Sequence, residues 1–322
     1  MPLTTDERLL SLSHDVIDAF DKANGGVHHG FRPAHAKGVL LTGVFQPSPE
    51  AGSLTRAPHM QRDPVPVTVR FSDFAGIPAV PDNSQNASPR GCAIRFHLAE
   101  HVHTDIVAHS VDAFPVRNVE EFLEFLNALI APDPAGPHPN AIEQFLGAHP
   151  AALAFVQIPK PIPASFAKES FFAVSAFKFT NANGMSRYGR YRILPVAGNQ
   201  YLSEATAAAQ TADFLFDEIK ARVAREAVQF RIVVQLAEDG DSVDDATFRW
   251  PETSQQLTLG EISLSQVAPH NDSEQQRLIF DPIPRVVGIE ASGDPLFEPR
   301  ANIYLMSGRR RRTAGTATGA SA

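Results

Sequence analysis

The feature that most restricts the fold is a series of short β-branched and aromatic runs. They are Val39-Leu-Leu-Thr-Gly-Val-Phe45, Val65-Pro-Val-Thr-Val-Arg-Phe71 and Cys92-Ala-Ile-Arg-Phe96, parted by clusters of Pro, Gly, Asn and Ser. Runs this short between turn residues fit strands and are too brief for stable helices. The strand-like region extends to Ile106, and its pattern suits a barrel or sandwich. Residues 171–181 and 186–194 repeat it on either side of Asn181-Ala-Asn-Gly184, a hairpin turn, and residues 229–236 add a further strand.

Helices flank these strands. Leu9, Leu10, Leu12, Val16, Ile17 and Phe20 recur at helical spacing within residues 4–22, up to the stop at Gly25-Gly26. Residues 119–130 are amphipathic and end where Pro132, Asp133, Pro134, Gly136 and Pro137 interrupt them. Further helices are expected over 141–155 and, from its Ala and Glu content, over 203–227. The class is α+β. No Ser/Gly-rich or charged linker separates two patterns, so residues 1–312 are expected to form one domain. Residues 313–322 lack large apolar side chains and are expected to be a disordered tail.

Composition narrows the function. The 322 residues carry 28 Lys and Arg against 36 Asp and Glu, a formal net charge of −8, which argues against chain-wide affinity for nucleic acid or membrane. One cysteine, Cys92, excludes an intramolecular disulfide and a multi-cysteine metal site. The start of the chain lacks a basic region followed by an apolar one, and no run nears the ~18 apolar residues of a membrane span. The expected location is cytoplasmic. Twenty-two Phe stand against 4 Tyr and 1 Trp, a bias that serves as core filler and also suits an apolar ligand pocket.

Two segments carry candidate chemistry. In Arg300-Ala-Asn-Ile-Tyr304 the i, i+4 spacing sets a guanidinium beside a phenol on one helix face. A phenol titrates near ~10, so a phenolate at neutral pH needs a cation, a metal or both, and Arg300 stands where that cation is needed. The same pair also fits a plain surface contact. In Arg32-Pro-Ala-His35-Ala-Lys-Gly38 the histidine is either a catalytic base or an ordinary polar loop residue.

Taken in order along the chain, these segments resemble the haem catalase superfamily, in particular its short catalase-related peroxidase (minicatalase) branch. The resembling stretches are Arg32 to Gly38, Val69-Arg-Phe-Ser72, Arg90-Gly-Cys-Ala-Ile-Arg-Phe96, Asp105-Ile-Val107, Arg117, Tyr188 to Pro195, Trp250-Pro251, Phe280-Asp-Pro282, Gly288-Ile-Glu290 and Arg300 to Tyr304. The resemblance implies a catalase-type antiparallel β-barrel with surrounding helices, without the C-terminal helical domain of full-length catalases. It implies haem b, with Tyr304 as the proximal iron ligand (a role known for tyrosine in catalases) and Arg300 keeping the phenol ionised. Arg32, Arg70 and Arg311 match positions that pair with the haem propionates; Arg310 and Arg312 leave the register of the last open by one. His35 matches the distal base, Ser72 the serine that orients it, and Phe114 and Phe122 aromatic positions of the haem face or distal pocket, with core packing as the other fate of Phe122.

One position departs from that pattern. Where catalases carry a distal asparagine, this chain has His109, which leaves Ser110 and Asp112 as further candidates for the group that positions peroxide. The chain is also shorter than typical catalases, so a more open pocket is expected, which favours organic reductants over peroxide dismutation. The expected activity is haem-dependent reduction of hydrogen peroxide or organic hydroperoxides by small organic donors, with weak or residual catalase activity, in a homodimer or other homo-oligomer. A fatty-acid hydroperoxide isomerase of the allene oxide synthase kind and a non-catalytic haem-binding barrel are the two other readings.

Overall fold

The computed structural model describes residues 3–61, 63–131 and 136–319, with side chains through Ala314. Among the described residues, ten strands form one antiparallel sheet: β1 (Gly38–Pro47), β2 (Val65–Ser72), β3 (Gly91–Ala99), β4 (Val102–His109), β5 (Phe171–Phe172), β6 (Phe177–Thr180), β7 (Ser186–Pro195), β8 (Val228–Leu236), β9 (Gln256–Val267) and β10 (Ile289–Ala291). Eight of them close a barrel in the order β1-β2-β3-β4-β5-β7-β8-β9, with β9 pairing back onto β1. β6 and β10 extend the sheet from the outer part of β7. Closure removes the exposed edges that an open sheet would present.

Period-two alternation assigns each strand residue to a wall. Val67, Val69 and Phe71 of β2, Ile94 and Phe96 of β3, and Ile106 and Ala108 of β4 fill the barrel. Phenylalanine dominates there: Phe71 packs against Phe166, Phe171 and Phe230 at centroid distances of 5.4, 5.6 and 5.7 Å. Arg70, Ser72, Ala93, Val107 and His109 therefore face outward. Three helices, α1 (Glu7–Ala23), α3 (Val119–Ile130) and α9 (Phe297–Gly319), pack together beside this outer wall, with a short α2 (Ala51–Leu54) elsewhere. Val16, Ala19 and Phe20 of α1 meet Val119 and Leu126 of α3 in a second apolar core.

The sequence expects two long helices that the fold divides. The 141–155 helix breaks into α4 (Ala141–Ala148) and α5 (Pro150–Gln157), because Pro150 has no N–H to donate into the preceding turn. The 203–227 helix becomes α6 (Glu204–Ala208) and α7 (Phe214–Val223). Between them, the Ala212 carbonyl and Asp213 carboxylate turn to the ammonium of Lys37, and this tertiary tie overrides local propensity. β9 and α8 (Asn271–Arg277) are elements that the sequence pattern leaves unassigned. The expected hairpin stands: Asn181 Oδ1 accepts from Asn183 N and Met185 N, and Gly184 takes φ +80°. Of the turn expected after α3, Pro132, Asp133 and Pro134 lie outside the described residues. The α9 backbone runs on to Gly319 across most of the expected tail, and residues 320–322 lie outside the described residues. Among the described residues, no helix is long and apolar enough to cross a membrane.

Barrel closure between β1 and β9 brings backbone close against Gly43. Their register shifts at Thr42/Gly43, and a Cβ on Gly43 would stand 2.0 Å from the Ser263 carbonyl oxygen, where only backbone could yield. Gly43→Val is expected to cost at least ~3 kcal/mol through overpacking. It should lower the urea midpoint; an unchanged midpoint would contradict this account of the closure.

Candidate functional site

A cavity of about 540 Å³ lies between the outer wall of β2–β3–β4 and the helices α1, α3 and α9. Strand register builds its wall. Ser72 of β2, Gly91 of β3 and His109 of β4 form one cross-strand row, and Arg70, Ala93 and Val107 form the next. Gly91 leaves a gap in the first row: a Cβ there would be 2.5 Å from Ser72 Oγ and 2.8 Å from His35 Nδ1. The imidazole of His35 occupies that gap, with Nδ1 3.0 Å from Ser72 Oγ and its ring edge-on to Phe74 at 5.4 Å.

His35 adopts φ +59°, a left-handed conformation disfavoured for a side chain with a Cβ and maintained only where surroundings enforce it. Backbone bonds from His35 N to Phe74 O (2.6 Å) and Ala36 N to Ala75 O (2.9 Å) supply that enforcement, and Arg70 Nη2 donates to the carbonyls of His35 and Ala36 at 3.0 and 3.2 Å. The rest of the segment now has reasons. Lys37 pairs with Asp82 and Asp213. Gly38 must lack a Cβ, which would sit 2.2 Å from Arg70 Nη2.

The opposite side of the cavity belongs to α9. Arg300, Tyr304, Ser307 and Arg311 all line it, at the spacing of a single helix face. Arg300 Nη2 donates to Tyr304 Oη at 3.4 Å, and its guanidinium carbon lies 5.8 Å from the ring centre. The register within the basic run is fixed by the neighbours: Arg310 pairs with Asp21 of α1, Arg312 donates to the Arg277 carbonyl, and Arg311 alone of the three turns to the cavity.

Arg32, Arg70 and Arg311 thus meet at one end of the cavity, and among the described residues none has a carboxylate at ion-pairing distance. Arg32 donates to the Leu278 carbonyl (3.0 Å), Arg70 to Gln275 Oε1 (2.9 Å) and Arg311 to Ser307 Oγ (2.8 Å) and the Leu278 carbonyl (2.9 Å). Arg311 Nε is buried without a hydrogen-bond partner. Burial, then the charge of Arg311, pushes Arg70 down to about 9; burial, then Arg32, pushes Arg311 down to about 8. Burial also moves Arg32 well below its ordinary value, with Arg70 adding to it. Arginine keeps its proton inside proteins. Charged guanidiniums in such surroundings are stabilised by an anion.

The two histidines are held neutral. Burial, then Arg70, takes His35 down to about 3; burial, then Arg300, does the same for His109. Nδ1 of His109 accepts from Val111 N at 3.3 Å, so the neutral ring carries its proton on Nε2. Ser110 and Asp112, the other candidates for this position, are committed elsewhere: Ser110 Oγ accepts from Arg90 N at 2.9 Å, and Asp112 binds Arg192. Phe114 and Phe122 both line the cavity, 5.7 Å apart. With Phe20 and Phe74, which sequence reasoning missed, they form an unbroken series of ring contacts from His35 round to His109. Gln275 was missed too, since no pattern marks α8. Gly91 was legible in the Arg-Gly stretch, although its steric reason was not.

A family model described as Catalase matches residues 29–318, and the chain belongs to the catalase family. Membership implies haem. The chain is 33% identical to a catalase-related peroxidase of Mycolicibacterium paratuberculosis, over 92% of this chain and 93% of that protein. It is 31% identical to a catalase-related peroxidase of Synechococcus elongatus, over 89% and 85% respectively. Against Catalase-2 of Bacillus subtilis the identity is 27%, over 85% of this chain but 42% of that protein. A crystal structure of a fungal catalase superposes with a TM-score of 0.76 at 21% identity, covering 96% of this chain and 64% of the fungal one, a likeness of fold.

His35, His109 and His59, which lies in the short 3-10 turn Pro58–Met60, share a consequence for stability. His59 is buried against Phe96, its Nδ1 has no hydrogen-bond partner, and burial takes it too to about 3. Unfolded histidines titrate near ~6.5, so below that pH the unfolded chain binds protons that the folded chain refuses. The stability each contributes is full above ~6.5 and is lost as pH falls toward ~3, at up to ~1.4 kcal/mol per pH unit. Asp73 and Glu169, both raised to about 7 by burial, act in the opposite sense over part of this range. The informative quantity is thus a difference. Between pH 6 and 4.5, wild type should lose more stability than His59→Leu, by up to ~1.4 kcal/mol per unit in denaturant titrations; parallel curves would contradict the assigned burial of a neutral His59.

Proposed function

We propose that this chain is a haem-dependent peroxidase, an oxidoreductase that reduces hydrogen peroxide or organic hydroperoxides with electrons from small organic donors and retains weak catalase activity. The observation that carries this reading is the opposition of two walls across one cavity: His35, Ser72 and His109 on the barrel, Arg300 and Tyr304 on α9. The residues fit haem b. The apolar, Phe-lined space suits a porphyrin, and three guanidiniums without counter-ions, one with a buried unpartnered Nε, suit its two carboxylates. Tyr304 is the metal ligand in this reading, with Arg300 favouring its ionised form. Arg32, Arg70 and Arg311 hold the propionates. Phe114 and Phe122 form part of the apolar wall.

Haem, when bound, supplies the redox chemistry that takes two electrons to the peroxide and recovers them from the donor. The chain manages the protons. With Nδ1 donating to Ser72 Oγ, the neutral imidazole of His35 offers the lone pair of Nε2 to the peroxide hydroxyl and returns that proton to the departing oxygen. Burial beside Arg70 keeps His35 unprotonated across the physiological range, ready as a base. His109 serves as a donor: its Nε2–H does what one N–H of an asparagine amide does, because Val111 N occupies Nδ1. Phe74, edge-on to His35, limits the water that competes for the proton.

His35→Gln is expected to lower kcat for peroxide-dependent donor oxidation by ~10²- to 10⁴-fold, the usual share of a general base. His109→Asn should stay within ~10-fold of wild type and His109→Leu should fall well below it, since a hydrogen-bond donor is what the position needs. Stopped-flow rates measured at equal haem content check both. An undiminished rate in His35→Gln, or equal rates for the two His109 variants, would remove the corresponding role.

A further inference from the structure

Next to the segment that carries Ser72 and His35 lies a buried charge cluster that the proton chemistry above does not use. Asp73 follows Ser72 directly, and Asp73, Asp82 and Arg90 are all buried. Arg90 Nη1 donates to Asp73 Oδ1, and its Nη2 donates to the Asp82 carbonyl. Lys37 Nζ donates to Asp82 Oδ1, and Leu215 N donates to Asp82 Oδ2 at 2.7 Å. Both oxygens of the Asp82 carboxylate are therefore occupied. Asp73 differs, because among the described residues no donor reaches its buried Oδ2, although the Asp82 carboxyl is its hydrogen-bonding neighbour.

The cations here do not suffice for the carboxyls. Lys37 divides its charge between Asp82 and the exposed Asp213 at the head of α7, and Glu169, just before β5, also faces Arg90. Arg70 feels the charge of Asp73, but its own donors go to Gln275 and to the carbonyls of His35 and Ala36. Two carboxylates in contact within a buried site do not both ionise, and a proton on Asp73 Oδ2, donated to Asp82, supplies the missing donor. Burial raises Asp73 to about 7, with Arg90 opposing and Asp82 adding to the rise, so this proton is lost near neutral pH. The backbone couples it to the base: His35 N donates to Phe74 O at 2.6 Å, Asp73 N donates to Lys37 O at 3.2 Å, and the Asp73 backbone is a hydrogen-bonding neighbour of the His35 ring.

We propose that Asp73 and Asp82 share one proton and that this proton positions the Ser72–His35 pair. Asp73 is a positioning residue, acting through its neighbour Ser72 and through the backbone beside His35. Loss of the proton sets two buried carboxylates against each other, and their repulsion displaces the segment that holds the imidazole. The inference rests on the reading of His35 as the base.

Haem-loaded wild type, Asp73→Asn and Glu169→Gln, compared from about pH 6 to about pH 9, test this. An amide at residue 73 accepts from Arg90, donates to Asp82 and has no proton to lose in this range. The kcat of wild type should fall about tenfold as pH rises through about 7, with little change in KM for peroxide, because a displaced base slows the chemical step. Asp73→Asn should stay within about twofold across the same range, and Glu169→Gln should keep the wild-type fall. Infrared spectra give a readout independent of turnover: wild type minus Asp73→Asn should show a carboxylic-acid carbonyl band at about pH 6 that is gone by about pH 9. Absence of that band, or failure of the isosteric Asp73→Asn to fold, would overturn the shared proton. A flat wild-type profile, or a fall retained in Asp73→Asn, would overturn the positioning role. A wild type that turns over no peroxide would instead count against the peroxidase reading, and the infrared band would still decide the proton.

Discussion

Three guanidiniums without counter-ions among the described residues, Arg70 and Arg311 buried and Arg32 half-buried, govern this structure. Arg32, Arg70 and Arg311 come from a loop, a barrel strand and a helix, and each is held by carbonyl, amide or hydroxyl oxygens that orient it without neutralising it. Burying a guanidinium costs several kcal/mol unless an anion accompanies it, so a fold that collects three of them around an apolar cavity has left part of its stabilisation to a ligand. That ligand must be polyanionic at one end and apolar elsewhere. Haem, which family membership implies, has that form.

The barrel makes the arrangement possible through register. A closed antiparallel sheet fixes which residues stand side by side, so Ser72, Gly91 and His109 fall in one row on the outer wall and Arg70 in the next. The absent side chain of Gly91 admits the His35 ring from outside the sheet. Arg70 then serves two ends: its guanidinium faces the cavity, and its Nη2 clamps the carbonyls that keep His35 in a left-handed conformation. His35, Ser72 and the guanidinium of Arg70 are thus joined in one hydrogen-bonded unit. α9 supplies the other wall by the same economy, since one helical face carries Arg300, Tyr304, Ser307 and Arg311.

Much of this was legible before any coordinates. Strand runs, the opening helix and the ordered motifs led to an α+β barrel of the catalase type, and the cavity gathers His35, Ser72, His109, the three arginines, both phenylalanines, Arg300 and Tyr304, but not Ser110 or Asp112. What the sequence concealed was long-range. Nothing local marks Gln275 as the partner of Arg70, or Lys37 as the tie that divides the 203–227 helix. Phe20 and Phe74 looked like any other phenylalanines until ring contacts joined them to His35 and Phe122. In the sequence, histidine at the distal asparagine position left open which group would position peroxide. In the fold, the Val111 amide fixes the His109 tautomer with its proton on Nε2. The ambiguity among Arg310, Arg311 and Arg312 likewise dissolved only when Asp21 and the Arg277 carbonyl claimed the outer two.

The central claim is that the chain binds haem through the Tyr304 phenol, with the guanidiniums at the other end of the cavity. It is tested most directly by the absorption spectrum of wild type and Tyr304→Phe, each expressed with haem supplementation and compared at equal protein concentration. The account predicts an intense Soret band for wild type, and for Tyr304→Phe either a large loss of haem or a ferric spectrum of changed ligation. Equal haem content and an unaltered spectrum in Tyr304→Phe would contradict it, as would a wild-type protein without a Soret band.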